Sequence, residues 1–134
     1  ITASAQDPDA AAKALIARYV ATYDVDKLLK EPAVRAQLQA VTGNQLRAVE
    51  AALNVNGGVE YIGGALAVSG NAPRQGGQTE AIVCIRPGAT PSVHAALLRN
   101  GQVSVFTHDW AALARHGREA RFKMPAGVRM VAPG

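Results

Sequence analysis

Asn100-Gly101 sits between two strand-like runs, Ser92-Val-His-Ala-Ala-Leu-Leu-Arg99 and Gln102-Val-Ser-Val-Phe-Thr107. A two-residue type I′ turn requires positive φ at both central positions, and Asn followed by Gly tolerates this. The pair therefore predicts a β-hairpin. Upstream, Glu80-Ala-Ile-Val-Cys-Ile85 is apolar without alternation, as suits a strand covered on both faces. A short buried helix would read the same way, but the flanking Gly76-Gly77 and Arg86-Pro87-Gly88 favour the strand. Val59-Glu-Tyr-Ile-Gly-Gly-Ala-Leu-Ala-Val-Ser69 is apolar at alternate positions and predicts one more strand, with a break at Gly63-Gly64. A loop, Gly70–Gln78, lies between these two strands.

The first half of the chain has a different period. Asp7 as a cap, Pro8 in the first turn and Asp9 against the helix dipole mark a helix start. Ala12, Leu15, Ile16, Tyr19, Val20 and Tyr23 then form one apolar stripe, which predicts a helix to about Tyr23 with both tyrosines packed. Asp24–Lys30 suggests a short helical turn. Glu31-Pro32 opens a further helix with Val34, Leu38 and Val41 on one face and Gly43 as its C-cap. Asn44 then caps a helix carrying Leu46, Val49, Ala52 and Leu53, which stops at the turn residues Asn54–Gly58. After Phe106, Thr107 or Asp109 caps a helix from Trp110 to about Arg115. Phe122–Met124 and Val128–Val131 form either a last strand or an apolar tail across the sheet. The expected fold class is α+β, with N-terminal helices on an antiparallel sheet of about five strands and a short C-terminal helix. It is expected to be a single domain over residues 1–134.

Several function classes fall away on composition. No apolar run approaches the roughly 18 residues that a membrane helix needs, so membrane insertion is not expected. Of the formal charge of +4, residues 1–69 carry six basic and seven acidic groups, and residues 70–134 carry eight and three. A basic end of this kind suits an anionic partner, but a single aromatic, Phe122, stands among its basic residues and makes no base-stacking platform, so nucleic acid is not expected as a partner. Ala3-Ser4-Ala5 has the small-x-small form of a signal-peptidase site. It predicts an exported, periplasmic protein in which residues 1–6 are flexible or a signal-peptide remnant.

Catalytic constellations are weak. His108, Asp109 and His116 do not match a short-spacing zinc motif, and the polar phase of the hairpin accounts for His94 without a ligand. Cys84 lies inside an apolar run, where a thiol behaves as a small hydrophobe. Ser69 and Ser92 lack a nucleophile-elbow setting, and Gly76-Gly77 lacks the Lys-Ser/Thr of a phosphate loop. No enzyme, metal or cofactor is expected.

That leaves the loop as the most informative segment. At about nine residues, with one Pro and three Gly, it exceeds what joining two strands needs. Pro73 stiffens it, and Gly76-Gly77 permit positive φ. Arg74 stands at its tip with a planar donor fork suited to carboxylates. Two readings stay open: a pre-ordered loop that fills a partner's cleft, or a long connection with a solvated arginine.

The order of elements and the stretch from Val68 to Val83 resemble the family of the periplasmic inhibitor of vertebrate lysozyme. That family implies helices on a five-stranded antiparallel sheet, with a loop Cys-Lys-Pro-His-Asp-Cys-Gly that enters the lysozyme cleft. Laid on this chain, the pattern falls on Asn71, Ala72, Pro73, Arg74, Gln75, Gly76 and Gly77. Pro73 and Gly77 match. The two loop cysteines fall on Asn71 and Gly76, the histidine on Arg74 and the aspartate on Gln75, so the bracing disulfide is absent. The resemblance implies a partner that is a lysozyme or another peptidoglycan-cleaving enzyme. The alternative is an interaction or structural module of the same fold without inhibition, for example an immunity-type or homodimerising periplasmic protein.

Overall fold

The computed structural model describes residues 8–109 and residue 111. Four helices lead the chain: α1 (Pro8–Tyr19), α2 (Val25–Lys30), α3 (Pro32–Thr42) and α4 (Leu46–Ala51), with a 3₁₀ turn at Gly43–Gln45 between the last two. Six strands follow: β1 (Val55–Asn56), β2 (Glu60–Ile62), β3 (Ala65–Asn71), β4 (Thr79–Arg86), β5 (Ser92–Arg99) and β6 (Gln102–Phe106). All pairings are antiparallel, in the order β1-β3-β4-β5-β6, and β2 also pairs with β3. The fold is α+β, as expected from the sequence.

The hairpin predicted at Asn100-Gly101 is present. Arg99 faces Gln102 across it, and the two turn residues have φ of 51° and 78°. Strand β4 does carry apolar residues on both faces. Ala81, Val83 and Ile85 join Leu66, Val68, Ala95 and Leu97 under the helices, against Leu28, Leu38 and Val49. Cys84 on the other face belongs to a second cluster with Ala67, Ala96 and Val105. Within α3, Val34, Leu38 and Val41 are buried on one face and Gly43 is the C-cap, again as the spacing predicts.

Four readings need correction, the first three because pairing across the chain overrides local pattern. Val59–Ser69 is not one strand. Its Gly63-Gly64 break is a reversal, so β2 folds back on β3 with Ile62 opposite Ala65. Val55-Asn56, read as a turn, is strand β1, which raises the sheet to six strands. This pairing depends on a side chain that is missing: a Cβ on Gly70 would stand 2.3 Å from the Val55 carbonyl oxygen. Helix α1 stops at Tyr19. The Ala21 N–H donates to the Val59 carbonyl and the Val59 N–H to the Thr22 carbonyl, which pulls the chain out of the helix with Ala21 at φ 61°. Tyr19 is buried, but Tyr23 is 79% exposed and packs no core. Asn44 lies inside the 3₁₀ turn and does not cap α4.

The helices are also tied through Glu31, which accepts hydrogen bonds from the Tyr19 hydroxyl and the Arg18 guanidinium, each at 2.5 Å. Those donors, the tyrosine first, hold the Glu31 carboxyl below its ordinary range. The expected helix after Asp109 and the segments Phe122–Met124 and Val128–Val131 lie, apart from Ala111, outside the described residues. No helix among the described residues is long and apolar enough to cross a membrane.

Candidate functional site

Strands β3 and β4 run out to Asn71 and Thr79, leaving a seven-residue loop, 72–78. Its base is closed by the Ala72 N–H donating to the Thr79 carbonyl at 3.0 Å. Two β-turns follow back to back. In the first, the Gln75 N–H donates to the Ala72 carbonyl at 3.0 Å; in the second, the Gln78 N–H donates to the Gln75 carbonyl at 3.0 Å. Pro73 occupies the second position of the first turn, where its preset φ fits. Arg74 occupies the third, at φ 61°, and Gly77 takes the matching place in the next turn at φ 81°. Positive φ at this place is the mark of a type II turn, and glycine is its usual occupant. An arginine there stores strain of about 1–2 kcal/mol.

Side chains brace the turns from both strands. The Asn71 side-chain amide donates to the Ala72 carbonyl at 2.8 Å, and the Gly77 N–H donates to the Glu80 carboxylate at 2.7 Å. A carboxylate acceptor makes the second bond charge-assisted and roughly twice as strong as a neutral one. Asn71 thus stabilises the loop at the place where the resembling family's pattern has a cysteine. From the neighbouring hairpin, the Asn100 N–H donates to the Gln78 carbonyl at 3.2 Å. Ala72 is buried, while Pro73, Arg74, Gln75, Gly76 and Gly77 are exposed.

The structure therefore brings together all seven residues singled out in the sequence, in one ordered projection. Sequence reasoning missed Glu80 and Asn100 as supports. Neither has a spacing signal, because one acts through a carboxylate on the returning strand and the other through a backbone amide from a different hairpin. Among the described residues the ion pairs are Arg18–Glu31 and Arg35–Glu50, both between helical segments, so no carboxylate there neutralises Arg74.

Two residues weighed for chemistry belong to the interior. Cys84 is 1% exposed and burial pushes its pKa up to about 12, so the thiolate needed for attack does not form near neutrality. His94 corrects an expectation: it is 2% exposed rather than on a polar outer phase, and its Nδ1 is 2.7 Å from the Thr107 hydroxyl oxygen. Thr107 also accepts from the Asp109 N–H at 3.0 Å, so the imidazole is part of an interior hydrogen-bonded corner.

Compared with known proteins, residues 33–125 match the family model described as Inhibitor of vertebrate lysozyme (Ivy). Neither the curated proteins nor the solved structures contain a match to the chain.

Proposed function

The chain belongs to the inhibitor of vertebrate lysozyme (Ivy) family, and from that membership we propose that it is a periplasmic inhibitor that blocks the active-site cleft of a lysozyme-like, peptidoglycan-cleaving enzyme with loop 71–77. Lysozyme inhibition is what the family as a whole implies; the insertion of this loop is the present reading. One observation carries it: Arg74 is held at an exposed tip in a left-handed conformation by two hydrogen-bonded turns. Strain of this kind persists only where surrounding structure enforces it, and it concentrates at functional sites. A loop ordered before contact loses little entropy on entering a cleft.

Glycan-cleaving enzymes of this type work with a pair of carboxyl groups flanking the scissile bond. A guanidinium placed between them can bond the ionised carboxylate bidentately and neutralise that one charge. Arg74 thereby takes the place that a histidine holds in the family's loop pattern. Charge points to the class of target. A chain of formal charge +4 is repelled by a strongly basic lysozyme, so a less basic bacterial or phage muramidase or a lytic transglycosylase fits better.

The test is titration against animal c-type and g-type lysozymes, a phage muramidase and a lytic transglycosylase, scoring binding and peptidoglycan lysis. Arg74→Ala is expected to cost about 2–5 kcal/mol of binding, as for truncation within a buried charge pair. A variant that inhibits as well as the parent would remove Arg74 from the role. A second reading, a dimerising module without inhibition, rests on the β1–β2 edge, where Val55 and Tyr61 are 49% and 46% exposed and Tyr61 lines a surface groove with Tyr23. A dimer that survives deletion of the loop, with no binding across the panel, would favour it.

A further inference from the structure

We infer that the tip of the β5–β6 hairpin forms the second half of the enzyme-contacting surface, with Arg99 engaging a carboxylate on the rim of the target's cleft. The inference rests on the loop-insertion reading above and extends it to a residue outside the loop. Thr79, the first residue after the loop, is paired with Arg99 in the sheet, and the Asn100 N–H holds the Gln78 carbonyl at 3.2 Å. The hairpin tip therefore flanks the root of the loop. A partner that takes Arg74 into a cleft must bring the wall of that cleft against Arg99, Asn100 and Gly101, all of which are exposed.

Arg99 is placed for that contact without being neutralised beforehand. Its Nη2 lies 3.5 Å from the Gln45 side-chain oxygen, a neutral acceptor on the 3₁₀ turn, and no carboxylate pairs with it among the described residues. Glu80, the acid nearest in the sheet register, is engaged by the Gly77 N–H. This end of the sheet thus presents two cationic forks, one on a strained tip and one on the flank. The complementary partner is an enzyme whose acidic character extends from the catalytic carboxyl pair onto the rim of the cleft. The two arginines divide the work by burial. A fully enclosed charge pair acts mainly on dissociation, while a rim charge acts on association and on its salt dependence.

The experiment measures association and dissociation rates, between low and physiological salt, for the full chain and each member of the muramidase panel. Arg99→Ala is expected to slow association about three- to tenfold at low salt and to flatten the salt dependence, with little change in dissociation. Arg99→Glu should slow association further, and Arg99→Lys should restore most of the rate. Arg86→Gln removes one positive charge at the opposite end of β4 and is expected to leave the rate nearly unchanged. Unchanged association in both Arg99→Ala and Arg99→Glu, while Arg74→Ala still loses binding, overturns this inference alone. An equal slowing by Arg86→Gln also overturns it, because net charge then accounts for the effect. Loss of neither binding nor rate in any variant, or no binding across the panel, overturns the loop-insertion reading as well.

Discussion

Two connections leave the same end of the sheet side by side, and they reverse the chain in different ways. The β5–β6 turn uses two residues, Asn100 and Gly101, whose positive φ values are those their side chains tolerate. The β3–β4 loop uses seven residues and places an arginine, rather than a glycine, at φ 61°. Only the first is what a chain needs in order to turn. The excess length and the strain of the second are costs to folding that connection does not explain, and side-chain bracing offsets part of them. Bound to one another through Gln78 and Asn100, the two segments mark the contrast between a turn that only reverses the chain and a loop longer and more strained than reversal requires.

The largest break of this contrast is to make the loop into the turn. Replacing residues 73–78 by Asn-Gly keeps the Ala72–Thr79 pair as its base and should abolish inhibition while leaving the melting temperature unchanged or higher. A loop-replaced protein that still inhibits the enzyme would end the loop's role. Next, Gly101→Val forces a β-branched residue into left-handed backbone and should cost about 1–3 kcal/mol in urea unfolding. The reciprocal change in the loop has the opposite sign. Arg74→Gly relieves the strain at φ 61° and, after glycine's own entropy cost, should stabilise the fold by about 0.5–1 kcal/mol while weakening binding. Destabilisation by that change would mean that Arg74 supports the scaffold.

The smallest effect concerns neither segment and serves to separate scaffold from site. Glu31 is held below its ordinary value of 4.5 by Tyr19 and then Arg18. Its contribution to stability is complete above that value and is lost as pH falls through the lower folded value. Glu31→Gln should therefore flatten the acid limb of thermal stability below about pH 4.5 and leave binding by the folded protein unchanged. An acid limb identical to the parent's would show that the carboxyl is not the group responsible.

Where residues carry their own conformational demand, the sequence was legible. Asn100-Gly101 announces its turn because few other pairs accept the backbone. Val34, Leu38 and Val41 announce the buried face of α3 because a helix repeats every three to four residues. The loop stood out by its length and its Pro and Gly content, and the resemblance to the lysozyme-inhibitor family rested on the same segment. Tyr23 was misread because a periodic stripe does not reveal where a distant strand will intercept the helix. His94 was misread because strand alternation names two faces without saying what covers each. Gly63-Gly64 reads only as a break within one strand, because only the pairing of Glu60–Ile62 with Ala65–Ala67 distinguishes an interrupted strand from a hairpin.

The sequence by itself determined the helical first half, the hairpin, the apolar strand β4 and the position of the candidate loop. Each follows from local steric preference or from a period that one segment contains. Tertiary structure alone decided the end of α1, the sixth strand, the interior place of His94 and the support of the loop by Glu80 and Asn100. These depend on hydrogen bonds and close approaches between residues far apart in the chain. Their energy exists only once the sheet has brought them together.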